Sequence, residues 1–350
     1  MPSDLKLLVT LLPSFPHFLR FAMDRRVASI RLNSAATSIF ELDDELKKLS
    51  ALPITGTPLF FDIKGRQMRI DEVIPNDEYL DIRLNHPIVV DTPVPVLFKA
   101  GADSALLKEV CEDGYRLKFF TGPEYEVKVG DSLHIRDSSL IVGGDQFTGK
   151  EIEKIEKVKA FGFENYFLSY VESQRDVDEF IDIVGDDCTL NLKIESKKGL
   201  RYVRNEFVKK SNLNLVAARG DLYVELDKPH EIIDATRLIV EKDPDAIVGS
   251  RILLSTINSP VPSCADFSEL AWLYDIGYRN IMLCDELCIK ENLLGVAVSV
   301  FDAFRKSYWI DTSKPRDIMN DSDVCVINSM SSPKKKSWWR IMGGGYQSGK

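Results

Sequence analysis

The 350-residue sequence predicts an α/β fold, a (β/α)8 barrel with a small β-barrel domain inserted after its third strand. Short apolar runs alternate with helix-period stretches eight times. The alternation breaks from about residue 70 to 149, where Val, Ile and Pro dominate and Gly-Asp turns recur. Several apolar runs also end in polar residues two apart, a spacing that puts both side chains on one strand face. Eight parallel strands close a barrel; on the count alone an open doubly wound sheet competes.

The elements follow in order. LKLLVTLL (5–12) precedes the helical pattern FPHFLRFAMDR, VASIRLN (27–33) precedes SIFELDDELKKL, and PLFFDIKG (58–65) is the third strand. HPIVVDTPVPVLF and EYEVKVGDSLHIRDSSLIVGG then read as an antiparallel module. Alternation resumes at GKEIEKIEKVKAFG (149–162). It continues through NYFLSYV and a helix from Asp176, TLNLKIE (189–195) with GLRYVRNEFVKK, and LNLVAARGD with HEIIDATRLIVEK. AIVGSRILL (246–254) with SCADFSELAWLYDIG and NIMLCDEL (280–287) with LLGVAVSVFDAFRKSY complete the eight. The expected domains are a discontinuous barrel of residues 1–70 and 150–308, a lid-like module of 71–149 and a tail of 309–350. In the tail, Lys334 to Lys336, Trp338 and Trp339 suit either a loosely docked terminus or a partner or membrane-surface contact.

A formal net charge of −9 argues against a nucleic-acid binder. No apolar run approaches the ~18 residues of a membrane span. Six cysteines lack a compact disulfide spacing and no secretory signal precedes them, so a cytoplasmic location is expected. Cys284 and Cys288, four apart with no histidine nearby, read as buried thiols before they read as a zinc site.

The chemistry-bearing residues gather at strand ends. Arg31 and Asn33, Asp62 and Lys64, and Lys193 and Glu195 are three such pairs, and the stretch LNLVAARGDLYVELDKP adds Asp221 after an apolar strand. Its Arg-Gly-Asp tripeptide therefore reads poorly as a cell-adhesion signal. The carboxyl end of a barrel is where ligands bind. Glu195 and Asp221, from neighbouring strands, can each give an oxygen to Mg²⁺ or Mn²⁺. Lys193, Arg31 and Arg69 can neutralise a phosphoryl group in transit. A network of barrel-end salt bridges is the plainer reading of the same residues.

The pieces VTLLPS, IRLNSAAT, FDIKGRQMR, FLSYVES, LKIESKKG, VAARGDLYVEL, GSRILLSTINSPVPSCADFSELAW and IMLCDE run colinearly from about residue 5 to 290. Together they resemble pyruvate kinase. The resemblance implies a TIM barrel with an inserted β-barrel lid, binding phosphoenolpyruvate or pyruvate at its mouth, with a nucleotide as a second ligand. It casts Lys193 as the catalytic lysine at the transferring phosphoryl and enolate oxygens, and Glu195 and Asp221 as the divalent-metal ligands. Arg31 and Arg69 become phosphate clamps, the amides around Gly220 and Asp221 hold the substrate carboxylate, and Ser250 places a hydroxyl near the reacting carbon.

The sequence also departs from the family. Of the monovalent-cation ligands Asn33 and Asp62 remain, but the serine is Ala35 and the accompanying acid is Gln67, so potassium dependence is not carried over. On the nucleotide side the histidine is Ala36, a proline is Arg66 and a glycine is Tyr223, while Arg251 replaces a glutamine and could receive a second carboxylate or phosphate. The family's C-terminal domain is not expected, and a homo-oligomer is neither required nor excluded. Three functions follow: a phosphotransferase between phosphoenolpyruvate and ADP; a divergent metal-dependent lyase or transferase acting on pyruvate, oxaloacetate or phosphoenolpyruvate; and a non-catalytic ligand-binding barrel.

Overall fold

The computed structural model describes residues 4–308 except 34–38, 55 and 77. The readings made above for Ala35, Ala36, Cys325 and the tail from 309 lie outside the described residues. Eight parallel strands form the barrel, the first three being β1 (Lys6–Thr10), β2 (Ser29–Asn33) and β3 (Leu59–Ile63). Eight strands of the inserted domain follow: β4 (Ile70–Val73), β5 (Asp81–Leu84), β6 (Ile88–Val89), β7 (Val94–Phe98), β8 (Asp103–Cys111), β9 (Arg116–Phe119), β10 (Leu133–His134) and β11 (Ile141–Val142). The chain then returns to the barrel with β12 (Asn165–Leu168), β13 (Thr189–Ile194), β14 (Leu213–Ala218), β15 (Ile247–Gly249) and β16 (Asn280–Met282).

The barrel closes in the order β1, β16, β15, β14, β13, β12, β3, β2. Leu8 of β1 pairs with Met282 on one side and Ser29 on the other, which excludes the open doubly wound sheet. The fold is a TIM barrel with an inserted β domain. In that domain β10, β7, β8, β9, β5 and β4 make an antiparallel sheet. An isolated antiparallel bridge between Arg69 and Ser132 joins its two edges, so the sheet curls nearly shut.

Helices return the chain between barrel strands: α1 (Phe18–Ala22), α2 (Ile39–Ser50), α3 (Gly149–Phe161), α4 (Gln174–Val184), α5 (Lys197–Asn205), α6 (Arg219–Glu225), α7 (Ile232–Lys242), α8 (Cys264–Asp275), α9 (Asp285–Cys288) and α10 (Glu291–Ser307). Their starts are written locally. Thr148 accepts from the Glu151 amide at α3, and Ser173 with Asp176 and Ser263 with Asp266 form capping boxes at α4 and α8. Two glycines permit close approaches that place the site. A Cβ on Gly65 would lie 2.3 Å from the Ser169 carbonyl oxygen, and one on Gly199 would lie 2.7 Å from that of Val171.

Strand alternation sorts the side chains. Leu7, Val9, Ile63, Leu192 and Leu215 join the shell between strands and helices, whereas Leu8, Phe167, Val216, Ile247 and Met282 fill the barrel interior against Phe60. The inserted domain has its own core around Ile82, Val96, Leu107 and Leu117. No helix of the described residues is long and apolar enough to cross a membrane.

His86 is buried in the inserted domain, and that burial, with the Arg66 charge nearby, pushes its pKa down to about 4. The unfolded chain, titrating near 6.5, binds the proton first as pH falls. Stability is therefore full above pH ~6.5 and declines by about 3 kcal/mol on the way to pH ~4. Urea unfolding of the wild type and His86→Gln across this range should show that slope only in the wild type.

Candidate functional site

The polar layer above the apolar barrel interior is organised by Asp62, the penultimate residue of β3. Its carboxylate is fully buried and pairs with Arg31, through Nη2 and through Nε at 2.7 Å. Lys64 Nζ lies 3.1 Å away and Lys193 Nζ 3.6 Å. Ser169 donates to its other oxygen at 3.0 Å. Burial opposes ionisation of Asp62, but the three cations outweigh it and hold the carboxyl far below the usual range. Lys64 feels the opposite balance: burial, with Lys193, Arg31 and Arg69 around it, pushes its amine below the ordinary lysine range despite Asp62.

Lys193 is held from three sides. Besides Asp62 it donates to Ser169 Oγ at 2.9 Å and meets Glu195 Oε1 at 2.9 Å, with 9 % of its side chain exposed. Glu195 accepts the Tyr170 amide at 2.8 Å. Burial, with the Asp221 charge added, raises its pKa in spite of Lys193. Asp221 follows β14 within α6 and keeps 26 % of its side chain exposed.

Asp221 has a partner that the sequence reading missed. His134 of β10 puts Nε2 3.2 Å from Asp221 Oδ1, off hydrogen-bond alignment, and Nδ1 2.8 Å from Glu225 Oε1. Burial alone would lower the imidazole's pKa, but the two carboxylates raise it to about 9, so the ring is a cation at neutral pH. Asp221 is held below the usual carboxylate range by that ring, against the effect of its own burial. Only the polar flanks of DSLHIRD hinted at such a role for His134.

Above these groups opens a cavity of about 430 Å³. Lys193, Arg31, Ser250, Arg69, Gly220, Asp221, Glu195 and Asn33 all line it, whereas Asp62 lies beneath. Arg69 donates to the Gly130 carbonyl at 2.6 Å and to Gln67, while its Nε is buried without a hydrogen-bond partner. Asn33 donates to Asp285 at 3.1 Å, and Asp285 also meets Arg31 at 3.4 Å. Lys64 and Lys99 line the cavity as well and were not among the expected substrate contacts; Arg251, expected as a receiver of a second anion, lines it too. Tyr170 (φ 54°), Ser250 (φ 67°) and Arg251 (φ 64°) hold left-handed backbone at the barrel mouth, as functional sites often do.

Two buried or half-buried carboxylates that face one cavity and repel each other suit a hard divalent ion. Among the described residues no set of three or more His, Cys, Asp or Glu side chains is arranged to hold a metal, so the remaining ligands would come from substrate and water. A monovalent ion fits Asp62 poorly, because three cationic side chains and a serine already engage its oxygens. Cys284 and Cys288 are free thiols, and burial pushes the Cys284 thiol up to about 12.

No family model matches the chain. It is similar to the pyruvate kinase of Methanocaldococcus jannaschii, 29 % identical over 308 residues, covering 83 % of this chain and 66 % of that protein. A pyruvate kinase of Agrobacterium vitis is 28 % identical over 215 residues (59 % of this chain, 43 % of that protein). That of Dictyostelium discoideum is 27 % identical over 272 residues (68 % and 52 %). The match thus spans between 43 % and 66 % of the length of these relatives.

Removing a shared counter-charge from a buried network leaves uncompensated cations. Asp62→Asn should lower the unfolding free energy by about 3–5 kcal/mol. Asp285→Asn, whose side chain is 43 % exposed, should cost under about 1 kcal/mol. Denaturant midpoints of both variants measure the difference.

Proposed function

The chain belongs to the pyruvate kinase family, and from that premise we propose that it is a metal-dependent phosphotransferase acting between phosphoenolpyruvate and ADP. The observation that carries this reading is Lys193, fixed by Asp62, Ser169 and Glu195 so that its ammonium faces a cavity also lined by Asp221, Arg31 and Arg69. Residues 71–149 serve as the lid of a barrel built from 1–70 and 150–308. The free thiols suit the cytoplasm.

In this reading Arg69 offers its unpartnered Nε to the phosphoryl group, and Arg31 adds charge beneath it. The amides at Gly220 and Asp221 take the substrate carboxylate, with the Ser250 hydroxyl beside them. Glu195 and Asp221 hold Mg²⁺ or Mn²⁺, which when bound supplies Lewis-acid charge to substrate and phosphoryl oxygens. The bond between phosphorus and the enol oxygen breaks as one to a terminal ADP oxygen forms. Lys193 offsets the negative charge left on the enol oxygen, and C3 then takes a proton to give pyruvate. Asp62 orients Lys193 without touching substrate.

A second reading has support from one contact: Arg251 lies over the Tyr223 ring at the cavity rim, 4.6 Å from its centroid, where the family has neither residue. It keeps the metal and Lys193 and replaces the nucleotide, so that the protein is a lyase or transferase acting on a 2-oxo acid.

A lactate-dehydrogenase-coupled assay with phosphoenolpyruvate, ADP and Mg²⁺ decides between them. Turnover is expected without potassium as well as with it, and Lys193→Met should reduce it by about 10²–10³-fold. Absence of turnover, together with Mg²⁺-dependent thermal stabilisation by oxalate, would give the site to the second reading.

A further inference from the structure

Two cations at the rim of the cavity are held differently from those below. Arg31, Lys64 and Lys193 each lie against Asp62, and Lys193 against Glu195 as well. Lys99 and Arg251 line the same cavity, yet neither makes an ion pair or a side-chain hydrogen bond among the described residues. Each rests on an aromatic face instead. Lys99 Nζ is 3.7 Å from the Tyr125 ring centroid and Arg251 Cζ is 4.6 Å from that of Tyr223. A ring positions a cation without supplying the full opposite charge that a carboxylate does.

The backbone adds a second observation. Lys99 (φ 46°) and Ala100 (φ 52°), like Ser250 and Arg251, occupy the left-handed region, which residues other than glycine adopt at a cost and which clusters where ligands are gripped. The two sites are also neighbours through one element. The turn at Lys99 to Gly101 packs on α6, with Gly101 close to Val224, and the adjacent residue of that helix is the Tyr223 that carries Arg251.

We propose that Lys99 and Arg251 form a second anion subsite, and that the substrate is a 2-oxo acid, or its enol phosphate, carrying an additional carboxylate on C3. This rests on the second reading given under Proposed function, in which the cavity takes a 2-oxo acid. The position follows from the shared lining: Arg251 and Lys99 open onto the same cavity as Ser250, whose hydroxyl the reading above sets beside the substrate. The charge follows from the cavity lining. Arg31, Lys64, Arg69, Lys99, Lys193 and Arg251 face the carboxylates of Glu195, Asp221, Asp285 and Glu286, with Asp62 beneath; Arg69, Lys99 and Arg251 have no carboxylate partner among the described residues, and of these Arg69 is engaged by Gly130 and Gln67, which leaves the two at the rim. A guanidinium and an ammonium lining one cavity can donate charge-assisted hydrogen bonds to a second carboxylate, which a three-carbon monoacid lacks.

The test is calorimetric titration of the full chain, in Mg²⁺, with pyruvate, with 3-sulfopyruvate as a mimic bearing a second anion on C3 that is not lost by decarboxylation, and with ADP. The wild type should bind 3-sulfopyruvate about tenfold more tightly than pyruvate, the worth of one charge-assisted hydrogen bond. That ratio should fall in Arg251→Gln and in Lys99→Met, and approach one in the double variant. Because misfolding would weaken both acids together, the ratio reports the subsite and not the fold. A ratio near one in the wild type, or one that survives the double substitution, overturns the proposal while leaving the cavity reading intact. Binding of neither acid overturns both. If the variants weaken ADP alone and leave the acid ratio unchanged, the two cations belong to a nucleotide and the assignment to the substrate is wrong.

Discussion

One buried carboxylate sets the geometry of the barrel mouth. Asp62 is removed from water and would be costly there alone. It is tolerated because Arg31, Lys64 and Lys193 converge on it while Ser169 fills its remaining lone pairs. The constraint runs in both directions: three long cationic side chains, which in water would sample many rotamers, are each confined to one orientation by sharing that acid. Lys193 gains a second anchor in Glu195. The close approach of Gly65 to the Ser169 carbonyl then fixes the residue that bridges Asp62 and Lys193.

The inserted domain is a part of the site and not only a cover for it. It supplies His134 to Asp221 and Glu225, Lys99 to the cavity rim, and the Gly130 carbonyl that orients Arg69. Arg136 grips the same helix through the carbonyls of Val224 and Tyr223. Helix α6, which bears Asp221, is thereby held from the barrel below and from the β domain above. Any divalent ion at Asp221 has to compete with the His134 cation for that oxygen, an electrostatic consequence of the closed arrangement.

The departures from the family pattern are also easier to understand in three dimensions. Tyr223 and Arg251, replacing a glycine and a glutamine thirty residues apart in the chain, meet face to face at the rim. Gln67, where the family has an acid, accepts from the Arg69 guanidinium without adding a charge. These residues do not read as scattered erosion of an old site, because each has acquired a specific partner.

The sequence by itself determined the eight strand–helix units, the place of the insertion and the strand-end positions of Arg31, Asp62, Lys193 and Glu195, because apolar periodicity and residues two apart on a strand are local properties of the chain. The family resemblance casts Asn33 and Asp62 as ligands of a monovalent ion and Arg31 as a phosphate clamp. What tertiary structure adds is the shared acid, since only the curvature of the barrel brings Arg31, Lys64 and Lys193 onto a single carboxylate. It also decided the placement of His134 beside Asp221 and of Lys99 at the cavity, since both lie in strands and turns of another domain with no spacing signal toward the barrel residues. Contacts between residues more than eighty positions apart are set by how two domains pack, and no local periodicity encodes them.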